Sequence, residues 1–214
     1  MIFRAVGAAL LLVVALGCRG SAEEPKPGDA LFTGTGSGLR MRDFPVGAEE
    51  VIMSAGVINE SNQYVTLRRL DLNEGPGHGT VARVADVTLA VDRTGPDIVT
   101  LSTYGTYPPV ERVGRKSGKP RCLVQKVKPL EGYRLAPGEE VKFLIRVRAD
   151  APRRMKVESE TIVYERDGET FEQKVPYGII VLAVDTDRKL SLYPEEAACA
   201  HLAEVLPGWK FPRR

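Results

Sequence analysis

The sequence predicts a mainly β fold, an antiparallel sandwich with one short helix near the C-terminus. Three observations carry that prediction. Short segments rich in β-branched residues recur along the chain between Gly and Pro breaks. The dipeptide Asp167-Gly168 separates two alternating runs. Apolar spacing of three or four residues is nearly confined to the last twenty-odd positions, and strands at close spacing without helical periodicity indicate a sandwich.

The clearest single strand is Val141 to Arg148. Val141, Phe143, Ile145 and Val147 fall on one face, Lys142, Arg146 and Arg148 on the other, with Leu144 out of pattern. That alternation reads as a half-buried strand. Before it, Leu135-Ala136-Pro137-Gly138-Glu139 is a turn, since Pro presets φ and Gly accepts positive φ next. The run Thr161–Arg166 and the run Glu169–Val175 form a hairpin about Asp167-Gly168, the dipeptide favoured by a two-residue type I′ turn. This register sets Arg166 opposite Glu169, Tyr164 opposite Phe171 and Val163 opposite Glu172. The aromatic pair and the ion pair then share one face.

Earlier segments read similarly. Val51–Asn59 and Tyr64–Leu72 are strands joined by the turn Glu60–Gln63. Val81–Asp92 places Val81, Ala85, Val87, Leu89 and Val91 in one phase, and Ile98–Tyr104 follows a Gly95-Pro96 break. Leu123–Lys128 and Tyr177–Val184 complete the set. A helix is expected at about 194–206: Pro194-Glu195-Glu196 opens it, Pro207-Gly208 stops it, and Cys199, Leu202, Val205 and Leu206 line one side.

The N-terminus carries a different signal. Arg4 precedes an apolar run from Ala5 to Leu16, interrupted only by Gly7. The run is too short for a transmembrane helix, which needs about 20 apolar residues, and suits a secretory signal. It ends in Val14-Ala15-Leu16-Gly17-Cys18, which resembles the lipobox of bacterial lipoproteins. The resemblance implies a signal peptide over 1–17, diacylglycerol on the Cys18 thiol and cleavage in front of it. It places the mature chain in a bacterial cell envelope, outside the cytoplasm and anchored to a membrane by lipid. Two acyl chains suffice for stable anchoring, at about 0.8 kcal/mol per buried CH₂. Residues 18–29, rich in Gly, Glu and Pro, are expected to be a flexible spacer, with the sandwich domain over 30–214. Val57-Ile58-Asn59-Glu60-Ser61-Asn62-Gln63-Tyr64-Val65-Thr66-Leu67, the later Leu135-Ala136-Pro137-Gly138-Glu139-Glu140 and the Asp-Gly hairpin also resemble immunoglobulin-like domains of bacterial surface lipoproteins. That resemblance implies a fold and supplies no functional residues.

The composition, 43% hydrophobic and 27% charged, is that of a globular chain. Basic and acidic residues nearly balance, 30 against 28, which argues against nucleic acid as a partner. With Cys18 lipidated, Cys122 and Cys199 are expected to form a disulfide, which an exported chain permits. Such a bridge contributes about 4 kcal/mol in the chain-entropy model. Two separate buried thiols are the alternative. His201 with the two cysteines falls short of a zinc or copper ligand set, and His78 sits in a glycine-rich loop. No metal or cofactor is expected.

No catalytic constellation is visible. There is no nucleophile elbow; Gly34–Gly38 follows no strand and opens no helix, so it is not a phosphate loop. Asp71, Asn73 and Glu74 do not match a calcium loop and read as a solvated turn. Glu158 and Glu160 share a strand face, and Asn59-Glu60-Ser61 reads as a turn rather than a glycosylation site. A basic stretch (Arg112, Arg115, Lys116, Lys119, Arg121) surrounds a Gly/Ser/Pro loop and could touch anionic lipid headgroups or cell-wall polymers; a merely solubilising loop is the simpler account. The functional expectation is a non-catalytic binding or interaction module of the envelope, with a protein or envelope polymer as partner. A ligand- or metal-binding lipoprotein and, less favoured, a hydrolase are the alternatives.

Overall fold

The structure, a computed structural model, describes residues 24–33, 40–47, 49–74, 82–91, 102–104, 106–107, 110–113, 121–124, 126–176, 179–184 and 204–205. Among these residues every regular element is a strand. The chain is mainly β, as its sequence predicts.

The first sheet is built on β13 (Glu140–Ala149), which pairs antiparallel with β4 (Glu49–Asn59) and with β6 (Ala82–Ala90). Beyond β6 lies β11 (Val127–Pro129), while β2 (Leu31–Phe32) and β7 (Ser102–Tyr104) pair with β4. The second sheet is built on β14 (Arg153–Arg166). Along β14 run β5 (Val65–Glu74) and, one after the other, β15 (Glu169–Val175) and β16 (Ile179–Val184). β12 (Arg134–Leu135) adds to β5; β1 (Lys26–Pro27) and β3 (Arg40–Pro45) add in parallel to β15 and β16. Two short ribbons complete the set. β8 (Thr106–Tyr107) pairs with β17 (Glu204–Val205), and β9 (Val110–Val113) with β10 (Arg121–Val124).

One apolar cluster draws on both large sheets. From the first come Ile52, Val57, Leu89, Val141, Phe143, Ile145 and Val147; from the second come Val65, Leu67, Ile162, Tyr164, Phe171 and Val175. Each such side chain contributes about 1.5–3 kcal/mol on leaving water. The alternation in β13 therefore does what its pattern predicts on this face. Its other face is buried at Lys142 and Leu144, half-buried at Arg146 and exposed only toward Arg148. Leu144 joins a second buried cluster with Val51, Met53 and Ala90, against which Tyr107 and Val127 pack. Lys142 is also buried there, at 1% exposure. Its aliphatic stem lies across Gly56, where an added Cβ would meet the Lys142 Cγ at 3.5 Å. Around Lys142 and Leu144 the strand is thus covered on both faces, and Leu144 is its second anchor.

Two bulges alter the expected phases. Arg146 lies opposite Asp86 and Val147 opposite Val84, leaving Ala85 as the extra residue. Ala85 is exposed although it shares a parity with buried Leu89. On β14, Val157 faces Glu74 and Ser159 faces Asn73, so Glu158 is extra. Glu158 is exposed and Glu160 buried, and the shared face expected for them is lost. A bulge inserts one residue and reverses the side on which later residues emerge. Asp71, Asn73 and Glu74 lie in β5 rather than in a turn; Asn73 Nδ2 donates to Ser159 Oγ at 3.0 Å and Thr161 Oγ1 at 2.9 Å.

The hairpin has its expected register. Asp167 and Gly168 take φ of 53° and 79°, the pair of positive values a type I′ turn requires. Tyr164 and Phe171 stack with centroids 5.5 Å apart. Arg166 and Glu169, though opposite each other, are engaged by the N-terminal segment. Arg166 Nη2 donates to Asp29 Oδ1 at 3.0 Å, and Lys26 Nζ to Glu169 Oε1 at 2.6 Å.

Those contacts correct the end of the spacer expected over 18–29, whose residues 18–23 lie outside the described residues. From Lys26 onward the chain is docked on β15. Gly28 N donates to Glu172 O at 2.7 Å, and Tyr164 Oη accepts from Asp29 N at 3.0 Å and Ala30 N at 3.1 Å. Gly28 is required by this approach, because a Cβ there would sit 2.4 Å from Tyr164 Oη. Spacer-like composition does not prevent docking when backbone groups do the bonding.

The helix expected at about 194–206 is corrected at its end, where Glu204–Val205 pair as a strand with Thr106–Tyr107. Isolated apolar spacing in a short segment yields to an available strand partner. Residues 194–203 lie outside the described residues, as do 98–101 of the strand expected over Ile98–Tyr104. The segment Leu123–Lys128 divides between β10 and β11.

Replacing Tyr164 by Phe keeps the stacking and removes an acceptor from two backbone N–H groups. Urea denaturation is expected to give a loss of about 2 kcal/mol, with Gly28→Ala at least as destabilising through its clash.

Candidate functional site

A candidate site forms where β4 hands the chain over to the second sheet. The handover is controlled by Asn59, whose side chain is fully buried. Its backbone N donates to Glu139 O at 3.1 Å and its carbonyl accepts from Gly138 N at 2.7 Å. Its Nδ2 donates to Gln63 O at 2.8 Å and Leu135 O at 3.0 Å. Its Oδ1 accepts from Ser61 N at 3.1 Å and Ser61 Oγ at 2.7 Å. The turn at Asn59-Glu60-Ser61 is therefore as predicted, and the amide nitrogen is fully committed, once to the loop and once to β12.

The segment Leu130–Glu139 is pinned against this turn. Gly132 N donates to Leu67 O and Leu67 N to Tyr133 O, both at 2.8 Å. Ala136-Pro137-Gly138-Glu139 closes with Glu139 N donating to Ala136 O at 3.0 Å, and Gly138 takes a φ of 73°. This is the Pro-Gly turn the sequence predicts. The Glu139 carboxylate accepts from Ala136 N at 2.8 Å and from the Tyr133 hydroxyl. Burial, then the bond to Glu139 and its negative charge, push the Tyr133 phenol up to about 12.

These two pinned segments set Tyr64 and Arg134 side by side. The Arg134 guanidinium lies 4.7 Å from the Tyr64 ring centroid, a cation–π contact. Among the described residues Tyr64 is the large hydrophobic side chain left exposed, at 55%. In the sheet, Thr66 lies between Arg134 of β12 and Glu165 of β14. Glu165 accepts from Arg68 Nη2 at 2.5 Å, and that bond, outweighing partial desolvation, raises the Arg68 pKa above its ordinary value.

An open groove of about 500 Å³ runs between the Asn62–Tyr64 loop, β12 and the hairpin turn at Asp167-Gly168. Its charges balance, with Arg134 and Arg166 against Glu165 and Asp167. The lining combines an aromatic ring with amide, carboxylate and guanidinium groups. That chemistry suits reversible binding of a polar ligand through planar hydrogen-bonding groups. Among the described residues no group of three or more His, Cys, Asp or Glu is placed to hold a metal.

None of the residues singled out from the sequence as candidate site residues is among those lining the groove. Cys18 and Cys199 are outside the described residues, as are Arg115, Lys116, Lys119, His78 and His201. Arg112, Arg121 and Cys122 occupy the β9–β10 ribbon, with Cys122 opposite Arg112 and Arg121 opposite Val113. Tyr64 and Arg134 were not signalled in the sequence, because no local motif joins residues brought together by a crossover between sheets. The available signal was the pair of turns flanking them.

No protein-family model matches the chain, and no curated protein matches it in sequence. Among solved structures it is similar to a family 123 glycoside hydrolase from Clostridium perfringens, at 10% identity and a TM-score of 0.36. That likeness covers 68% of this chain, which spans about a quarter (23%) of the hydrolase chain.

The Tyr133–Glu139 bond generates a pH-dependent prediction. Tyr133 titrates near 10 when unfolded and at about 12 when folded. Its contribution is complete below pH 10 and is lost as pH rises through the folded value, because the unfolded chain releases the proton first. Tyr133→Phe is expected to cost about 1 kcal/mol near pH 8. In urea titrations the gap from wild type should narrow between pH 10 and 12.

Proposed function

We propose that this chain is a non-catalytic binding module of a bacterial cell envelope, held outside the cytoplasm by lipid on Cys18. The observation that carries the reading is the groove beside Tyr64, an exposed aromatic ring set among polar forks on a rigid double sheet. A site of this kind binds by contact and hydrogen bonding, and none of its chemistry requires a covalent step.

The strand order supports an immunoglobulin-like sandwich as the scaffold. β2, β4, β13 and β6 follow the A-B-E-D order of one immunoglobulin sheet. β5, β14 and β15 follow C-F-G, with β1 lying parallel to β15 at the far edge. In this reading the groove belongs to one end of the sandwich, where such domains gather their contact loops. A short helix ahead of the Glu204–Val205 strand and a Cys122–Cys199 disulfide complete the proposed arrangement. The Arg112–Arg121 ribbon, with its intervening cations Arg115, Lys116 and Lys119, is a second contact for anionic headgroups or envelope polymers. No cofactor enters this reading.

The anchor is supported by the length and ending of the apolar run before Cys18. Metabolic labelling with a clickable fatty acid is expected to mark the wild-type chain and leave Cys18→Ser unmarked and released from membranes. A photo-crosslinking residue at position 64 should capture an envelope component in cells, whereas one at position 69 should not. Equal labelling of both Cys18 forms removes the anchor. Equal crosslinking at both positions removes the groove as the binding site.

A further inference from the structure

We infer that the groove takes a neutral oligosaccharide, a deeper statement that rests on the binding-module reading. The argument starts from Tyr64. Its ring is exposed and yet held, because Arg134 lies against it and Asn59 fixes the loop that carries it. A fixed aromatic face is an apolar platform that loses little conformational entropy on binding. The C–H-rich face of a pyranose ring fits such a platform.

The polar lining selects the same class. Asn62 and Gln63 offer amides, each with paired donors and acceptors, and Glu165 and Asp167 offer carboxylate acceptors. Sugar hydroxyls donate and accept at once, so they use both kinds of group. A phosphate or carboxylate ligand would use only donors and would meet two carboxylates. The balanced charge of the lining disfavours that ligand.

A peptide adding as a strand is disfavoured by topology. At Thr66, β5 is flanked by β12 through Arg134 and by β14 through Glu165. β5 itself offers no edge there, and β12 outside it is only two residues long, too short to template an added strand. The groove's volume of about 500 Å³ lies within the range of small-ligand sites, and it opens to solvent.

Calorimetric titration of the full chain in a non-glycosidic detergent tests this. The probes are neutral tetrasaccharides of β-1,4-linked N-acetylglucosamine, β-1,4-linked glucose and α-1,4-linked glucose, with a tetragalacturonate as the anionic comparison. At least one neutral probe is expected to bind with Kd below about 1 mM, and the anionic one at least about tenfold more weakly. Tyr64→Ala should weaken the best probe about tenfold or more with an unchanged thermal midpoint, and Tyr64→Trp should retain it. Failure of every neutral probe to bind below that limit overturns the inference, as does Tyr64→Ala binding like wild type. Crosslinking from position 64 to a protein in cells also overturns it while leaving the binding-module reading intact.

Discussion

The architecture around the groove depends on one buried amide. Asn59 sits where the chain leaves one sheet for the other, and its two N–H donors and two oxygen lone pairs are all used. A crossover at a sheet end exposes backbone groups that no ladder satisfies, and a buried orphan of that kind costs about 1–3 kcal/mol. The Asn59 side chain satisfies three of them: the carbonyls of Gln63 and Leu135 and the amide of Ser61. The loop before Tyr64 and the segment after Arg134 therefore share one fixed point, and the distance between ring and guanidinium follows from it.

Polar anchoring recurs at the other end of the N-terminal segment. Tyr164 is wholly buried, packs its ring on Phe171 and spends its oxygen on the amides of Asp29 and Ala30. The surface ion pairs around it are secondary. Lys26 and Glu169 are each about half exposed, at 48% and 55%, and such pairs contribute about 0–1 kcal/mol. A different arrangement protects the outer face of β14. Val163 lies opposite both Arg69 and Glu172, whose 3.7 Å ion pair spans the strand between them. The valine is only 3% exposed as a result. The long polar side chains on either side shelter an apolar residue that belongs to neither of the two apolar clusters.

What could be read from the sequence was local. The Asp167-Gly168 turn, its register and the Ala136–Glu139 turn each follow from a few adjacent residues whose φ preferences are strong. The core face of β13 was legible because four apolar residues alternate. Features set by distant partners were not. The bulges at Ala85 and Glu158 appear only when the opposite strand's length is known. The burial of Leu144 and Lys142 depends on what lies over the sheet, and the docking of Lys26–Pro27 depends on a free edge of β15. The strand state of Asp71–Glu74 comes from pairing with β14, which overrides the turn-like composition. Of the site, its two bordering turns were visible; its ring and its guanidinium, seventy positions apart, were not.

The parallel docking of β1 has a geometrical outcome. Lys26 stands opposite Phe171 and bonds Glu169, beside the turn that borders the groove. On the proposed lipidation, the covalent path from Cys18 to Lys26 extends at most about 27 Å. On that proposal the tether joins the domain at the end that carries the groove. Within so thin a layer the local concentration of an immobile envelope polymer is high. On that proposal weak, rapidly exchanging contacts would suffice to keep the domain engaged, with selectivity set by what lies within the leash's radius as much as by affinity.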